Sequence, residues 1–295
     1  MKPVRLVSRS EFLPVRGLHY HLRHWGPQEA PVLFMVHGWM DVSASFQFVV
    51  DQLKNDWHVI APDLRGFGLT AAPGTDTYWF ADYLADMDAI FRHYVPEGQL
   101  NVLGHSMGAN VVSMYAGIQP ERIRRLINLE GFGLPATAPE QAPKRFRKWL
   151  AEMPQTPQLR DYASLKEVAA RLQKTNPRLD DDKALWLAQH WSRQNAAGRW
   201  EILGDPVHKQ TSPLLFRVDE FLACWANISA PVLWMEAEHT DVWNWMGPKE
   251  QARIEIDRRL AIIPNLQKAW ITDAGHMLHH DQPEWLAKLI EDFLA

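Results

Sequence analysis

A serine held between two glycines is the feature of this sequence best suited to chemistry. Residues 104–108 read GHSMG, a Gly-x-Ser-x-Gly pattern with Ser106 at its centre. The apolar residues 100–103 before it are typical of a strand, and residues 109–118 after it carry apolar side chains at helical spacing. A strand-to-helix turn of this kind lifts a serine hydroxyl clear of a sheet and onto a helix N-terminus. The pattern predicts that Ser106 is a nucleophile.

This chemistry needs further groups elsewhere in the chain. A serine hydroxyl is a poor nucleophile at neutral pH, so it requires a histidine base within hydrogen-bond reach and a carboxylate that orients the base. Acyl transfer also requires backbone N–H donors for the oxyanion that forms during attack. The sequence has 13 histidines and 35 acidic residues, so the elements that carry them must decide which ones meet Ser106.

Short apolar runs alternate with helical patterns along most of the chain. Runs this short and this apolar are typical of strands buried on both faces of a parallel sheet. We therefore predict an α/β fold with a mostly parallel central sheet and helices on both of its faces. Residues 4–7 and 18–23 differ, and they predict an antiparallel hairpin at the sheet edge. The predicted core strands are residues 32–36, 58–61, 100–103, 126–129, 232–235 and 268–271.

The alternation stops between about residues 135 and 229. This stretch is rich in Gln, Lys, Arg, Pro and Trp, and it shows no clear strand. Residues 165–172 and 185–191 have helical patterns. The stretch is therefore predicted to be a helical insertion before the penultimate strand, between core segments 1–134 and 230–295.

Composition excludes several classes of protein. The 295 residues are 46% hydrophobic and 22% charged, with a formal net charge of -4, which gives no indication of binding to nucleic acid or to an anionic membrane. No window approaches the roughly 18 apolar residues of a membrane span, and the N-terminus lacks the apolar region of a signal peptide. We expect a cytoplasmic protein that acts on a small molecule. The single cysteine, Cys224, excludes an internal disulfide and is expected to be a small buried hydrophobe.

Four segments together resemble the α/β-hydrolase fold family across essentially the whole chain. They are residues 37–41 (HGWMD), 62–68 (PDLRGFG), 104–108 (GHSMG) and 273–277 (DAGHM), each of which follows a predicted strand. The chain looks closest to the lid-bearing branch of serine esterases, lactonases and cofactor-free haloperoxidase-like proteins. The resemblance implies that residues 135–229 form a lid or cap over the site.

The resemblance also implies the role of individual residues. Ser106 would be the nucleophile, and His276 would be the general base and then the acid for the leaving group. The backbone N–H groups of Met107 and Trp39 would form the oxyanion hole. His279 and His280 lie close to His276 in the sequence, but only His276 follows the Ala-Gly turn of the family pattern.

The third member of the triad has more than one candidate. The family usually places its acid after the strand at 232–235, in a pattern like Gly-x-x-Asp, where this chain has an alanine and an aspartate one residue late. Asp241 is the first choice at that position. Glu130 is the alternative, because it ends the strand before the insertion, where some relatives carry their acid. Glu238 is a weaker third candidate.

These residues favour a serine hydrolase that cleaves an ester, a lactone or a related acyl compound without a cofactor or a metal ion. The tryptophans of the insertion suggest an apolar acyl pocket. Ser106 at the elbow excludes the dehalogenase and epoxide hydrolase chemistry of this fold, because that chemistry needs an aspartate nucleophile. The alternative function is a ligand sensor that retains the triad but turns over very slowly.

Overall fold

The computed structural model describes residues 5–295. In chain order the strands among these residues are β1 (Arg9–Val15), β2 (Leu18–Trp25), β3 (Val32–Val36), β4 (His58–Pro62), β5 (Leu100–His105), β6 (Ile123–Leu129), β7 (Asp161–Tyr162), β8 (Ser192–Gln194), β9 (Trp200–Ile202), β10 (Val232–His239) and β11 (Leu266–Gly275). One sheet has eight of these strands, in the order β1-β2-β4-β3-β5-β6-β10-β11, and a second sheet has three short strands, in the order β7-β9-β8.

The larger sheet is parallel from β4 to β11, and β2 runs antiparallel to both of its neighbours, β1 and β4. Side chains of β3 show why helices must cover both faces. Phe34 and Val36 lie in one core cluster, whereas Leu33 and Met35 lie in another on the opposite face. The predicted α/β fold with a mostly parallel sheet is confirmed.

Helices supply the two layers. They are α1 (Gln47–Val50), α2 (Phe80–Tyr94), α3 (Met107–Ile118), α4 (Ala142–Glu152), α5 (Leu165–Thr175), α6 (Asp181–Trp191), α7 (Val218–Ala226), α8 (Trp243–Met246), α9 (Lys249–Leu260), α10 (Leu278–Asp281) and α11 (Pro283–Leu294). On one face of the sheet lie α2, α3, α7 and α9, and on the other lie α1, α10 and α11. In the part of the chain that the structure describes, none of the helices is both long and apolar enough to cross a membrane.

The edge hairpin forms later in the chain than predicted. Its first strand was expected at residues 4–7, but residues 5–7 form no strand and residue 4 lies outside the described part; the strand is Arg9–Val15. Arg16 and Gly17 both have positive φ, 48° and 81°, so they make the tight turn that sets the register. Pro14 is tolerated because β1 is an edge strand.

The insertion between β6 and β10 contains helices α4 to α7, and two of them match the predicted helices closely. The expectation that it has no strand was wrong, since β7, β9 and β8 form a small antiparallel sheet there. Helix α7 packs on the core helix α3 so closely that a Cβ on Gly117 would lie 1.7 Å from the Cys224 carbonyl oxygen. The last helix of the insertion therefore belongs to the core packing.

Candidate active site

Ser106 occupies a strained turn between β5 and α3. Its φ of 49° and ψ of -114° lie outside the regions that L-residues favour. Both flanking glycines are required by close packing: a Cβ on Gly104 would lie 2.4 Å from Ala109 Cα, and a Cβ on Gly108 would lie 2.2 Å from the Val36 carbonyl oxygen. The backbone thus presents the serine side chain above the carboxyl end of the sheet.

A continuous hydrogen-bonded chain joins Ser106 to a histidine and a carboxylate. Ser106 Oγ lies 2.9 Å from His276 Nε2, and His276 Nδ1 lies 3.0 Å from Glu130 Oε2. His276 comes just after β11, and Glu130 comes just after β6, so three separate strands bring the three side chains together. This arrangement is the geometry of a nucleophile, its base and an orienting acid.

Glu130 is fixed in place by its surroundings. It is 1% exposed, and its φ of 58° is a second positive value at a strand end. The Ala237 N–H donates to Oε1 at 2.7 Å, and the Thr240 hydroxyl donates to Oε2 at 2.6 Å. With His276 as the third donor, these hydrogen bonds hold the carboxylate in one orientation. The carboxylate in turn orients the His276 imidazole.

The structure does not bring Asp241, the first choice from sequence, to His276. Asp241 is exposed, and among residues 5–295 no hydrogen bond joins its side chain to that imidazole. The reason lies in the end of β10, where the register shifts between Ala237 and His239. The chain then turns so that Thr240, rather than Asp241, faces the Glu130 carboxylate. Glu238 instead accepts a hydrogen bond from the Asp273 N–H at 2.9 Å.

The two predicted oxyanion donors lie on segments that flank Ser106. Met107 opens α3, so its N–H belongs to the first turn, where helical acceptors are missing. The loop that carries Trp39 packs closely against Ser106, because a Cβ on Gly38 would lie 3.2 Å from Ser106 Cβ and 2.9 Å from His105 Nδ1. His37 braces this loop by accepting a hydrogen bond from the Leu64 N–H at 2.9 Å.

A cavity of about 630 Å³ opens over Ser106. Its wall is mainly apolar, and it comes from the core loops and from the insertion. Trp191 of the insertion is tied to the core because its indole N–H donates to the Met40 carbonyl at 3.0 Å. The insertion contributes Leu172, Leu179, Leu187 and Trp191 to the wall.

Further histidines lie behind the triad. Burial, with the neighbouring His279 and His276 charges, holds the pKa of His105 well below its usual range. His280 Nε2 is 2.6 Å from Ser45 Oγ, and His279 Nε2 is 3.1 Å from the same oxygen. Within the described residues, Asp41, His279 and His280 form the group whose ligand atoms could converge on a metal ion, all within 4.8 Å. The contacts with Ser45 explain these histidines as a hydrogen-bonded wall of the site.

Comparison with known proteins agrees with this geometry. A sequence profile of the alpha/beta hydrolase fold matches residues 31–283, and the chain therefore belongs to the α/β-hydrolase fold family. The resemblance noted from the four motifs is confirmed.

Individual relatives cover nearly the whole chain. It is 26% identical to a serine hydrolase-like protein of Danio rerio, over 97% of this chain and 89% of the relative. It is 24% identical to serine hydrolase-like protein 2 of Homo sapiens, over 94% and 90% of the two chains. A thioesterase domain from the curacin biosynthetic pathway has a similar structure, with a TM-score of 0.81, 25% identity and coverage of 97% of this chain and 99% of that one.

Proposed function

We propose that this protein is a serine hydrolase that cleaves an ester, a lactone or a related acyl compound through an acyl-enzyme on Ser106. The observation that carries the proposal is the chain of hydrogen bonds from Ser106 Oγ through His276 to Glu130, at 2.9 and 3.0 Å. Folding of the chain does not require a strained serine, an imidazole held against it and a buried carboxylate behind that imidazole. Acyl transfer requires all three.

The proposed reaction begins with attack of Ser106 Oγ on the substrate carbonyl carbon. His276 Nε2 takes the hydroxyl proton, and Glu130 stabilises the imidazolium that forms. The Trp39 and Met107 N–H groups stabilise the oxyanion. When the tetrahedral intermediate collapses, His276 gives the proton to the leaving oxygen or sulfur. Water then attacks the acyl-enzyme with the same histidine as base, and the acid is released.

The insertion at residues 135–229 is proposed to be the lid over this reaction. Its leucines and Trp191 line the cavity, which supports an apolar acyl group as part of the substrate. Because α7 packs on the core, the covering part of the lid would end before Val218. Exclusion of water by such a lid strengthens the electrostatic interactions inside the site.

The test is a panel of esters, thioesters and lactones of graded chain length, assayed with the wild-type protein and with Ser106→Ala. We expect turnover and fluorophosphonate labelling in the wild type and neither in the variant. Ser229→Ala is a matched control, because Ser229 is an exposed serine far along the chain from the elbow. Labelling that persists in Ser106→Ala would refute the assignment. A burst of product with almost no steady state would favour the ligand sensor.

A further inference from the structure

Two cationic side chains line the mainly apolar cavity. Arg171 of α5 and Lys209, which follows β9, both contribute to the wall above Ser106. Among residues 5–295 neither forms a salt bridge with a carboxylate. Arg171 donates to the Thr175 hydroxyl, and Lys209 Nζ lies 4.2 Å from the centroid of the Trp39 ring. Neither cation is therefore neutralised by a direct ion pair within the described residues.

The cavity's own carboxylates are committed elsewhere or fail to reach these cations. Glu130 is occupied by its three donors, and Asp41 accepts a hydrogen bond from the Val42 N–H at 2.9 Å. Asp241 also lines the cavity, but it forms no salt bridge with Arg171 or Lys209 in the described part of the chain. Burial, together with the Arg171 charge, lowers the pKa of Lys209.

Two cations without ion pairs on the wall of a mainly apolar cavity favour the binding of an anion. Arginine presents a planar fork that suits carboxylate and phosphate oxygens, and lysine adds a flexible point charge. We propose that Lys209 and Arg171 bind an anionic group of the substrate, a carboxylate or a phosphate, so that the preferred substrate is an acidic ester or thioester. This inference rests on the proposed hydrolase function and names its substrate class.

The position of Lys209 would place the bound anion near the reacting carbonyl group of the substrate. Its ammonium lies on the ring of Trp39, the same residue whose backbone N–H is proposed to stabilise the oxyanion. An anion held there would fix the substrate close to the oxyanion hole. Remote binding of this kind positions a substrate for attack and improves kcat/KM.

Arg171 also joins the cavity to a second groove of about 700 Å³. The groove is basic, because it is lined by Arg160 and Lys174 as well as Arg171, with Glu167 as its acidic residue. The positive surface therefore continues outward from the active-site mouth. The anion could belong to the acyl group or to the alcohol or thiol that leaves, and the experiment must distinguish these two sources.

The experiment compares matched neutral and anionic substrates. For the acyl side, p-nitrophenyl butyrate is paired with p-nitrophenyl hemisuccinate; for the leaving group, butyryl-pantetheine is paired with butyryl-4′-phosphopantetheine. We expect the wild type to prefer the anionic member of at least one pair, and the pair identifies the source. In a Lys209→Met, Arg171→Gln double variant the ratio of anionic to neutral kcat/KM should fall about 10- to 100-fold, as for lost charge-assisted hydrogen bonds. Lys166→Met, an exposed lysine of the same helix as Arg171, should leave the ratio unchanged.

A binding measurement separates this inference from the hydrolase proposal. Glutarate and inorganic phosphate are titrated calorimetrically into Ser106→Ala, with and without the double substitution. Anion binding that the double variant abolishes supports the subsite even if no ester is cleaved. If the wild type cleaves neutral esters, shows no anionic preference in either pair, and binds neither anion more tightly than the double variant does, the subsite is refuted while the hydrolase function stands.

Discussion

Replacing Glu130 by glutamine tests the identity of the acid that serves His276. In the structure, Glu130 Oε1 accepts from the Ala237 N–H, so the oxygen of a glutamine amide must stay at that position. The amide NH₂ then faces His276 Nδ1, which is 3.0 Å from Oε2 in the native protein. An NH₂ group can only donate there. The imidazole is therefore forced to accept at Nδ1 and to carry its proton on Nε2, where it cannot deprotonate Ser106.

The expected loss follows from this change of tautomer. An amide in place of the triad carboxylate of a serine protease lowers kcat by about 10⁴-fold, although the geometry is kept. We expect Glu130→Gln to lower kcat by about 10³- to 10⁴-fold, which corresponds to about 4–5.5 kcal/mol of transition-state stabilisation. The assay is steady-state hydrolysis of the best ester from the substrate panel, with thermal melting to verify that the isosteric variant is folded.

Asp241→Asn is the matched control, because it makes the same chemical change in the rival acid. Since Asp241 is exposed and is not hydrogen-bonded to His276, kcat should change by less than about threefold, as for a surface residue outside the network. The reasoning is refuted if Asp241→Asn loses more than about 100-fold in kcat while Glu130→Gln retains at least a tenth of the activity.

Two further predictions concern the oxyanion loop and the dependence of stability on pH. Gly38→Ala places a Cβ 2.9 Å from His105 Nδ1 and should displace the Trp39 N–H. We expect kcat for ester hydrolysis to fall about 100-fold, as for a lost oxyanion donor. A kcat within threefold of wild type would contradict this. Burial lowers the pKa of His208 to about 4. In the unfolded chain this histidine binds a proton at a higher pH, so Tm should fall as the pH drops from about 6.5 to 4. Thermal melts of His208→Phe should show a smaller decrease of Tm over the same pH range.

Most of the fold was predictable because the central strands β3 to β6 and β10 are largely buried on both faces. Such strands appear in the sequence as apolar runs bounded by turns, and six runs predicted six of the sheet's strands. In the edge strand β1 only Val15 is buried, and the strand begins with the polar residues Arg9 to Glu11, so no apolar residues mark its start and it was placed too early. Strands β7 to β9 have two or three residues each, which is too short for any periodicity to reveal.

Ser106 and His276, the proposed nucleophile and base, could be picked out of the sequence for a related reason. The strained turn at Ser106 needs glycines at fixed offsets, and the turn before His276 also leaves a local pattern. The two cations of the cavity had no such signal, because Arg171 and Lys209 come from different elements that only the folded insertion brings to one wall. Nothing in the sequence singled them out.

The acid was ambiguous because of how β6 and β10 pair. The two strands are parallel neighbours, with Leu129 opposite Met235, so their carboxyl ends reach the same point above the sheet. A carboxylate that follows either strand can therefore approach the imidazole after β11. A glutamate directly after Leu129 has the length to reach it, while β10 runs on to His239 and leaves Asp241 exposed on the cavity wall. The Thr240 hydroxyl just before Asp241 donates to Glu130 Oε2, so in the described residues the segment after β10 supports the glutamate and brings no carboxylate of its own into hydrogen-bond contact with His276.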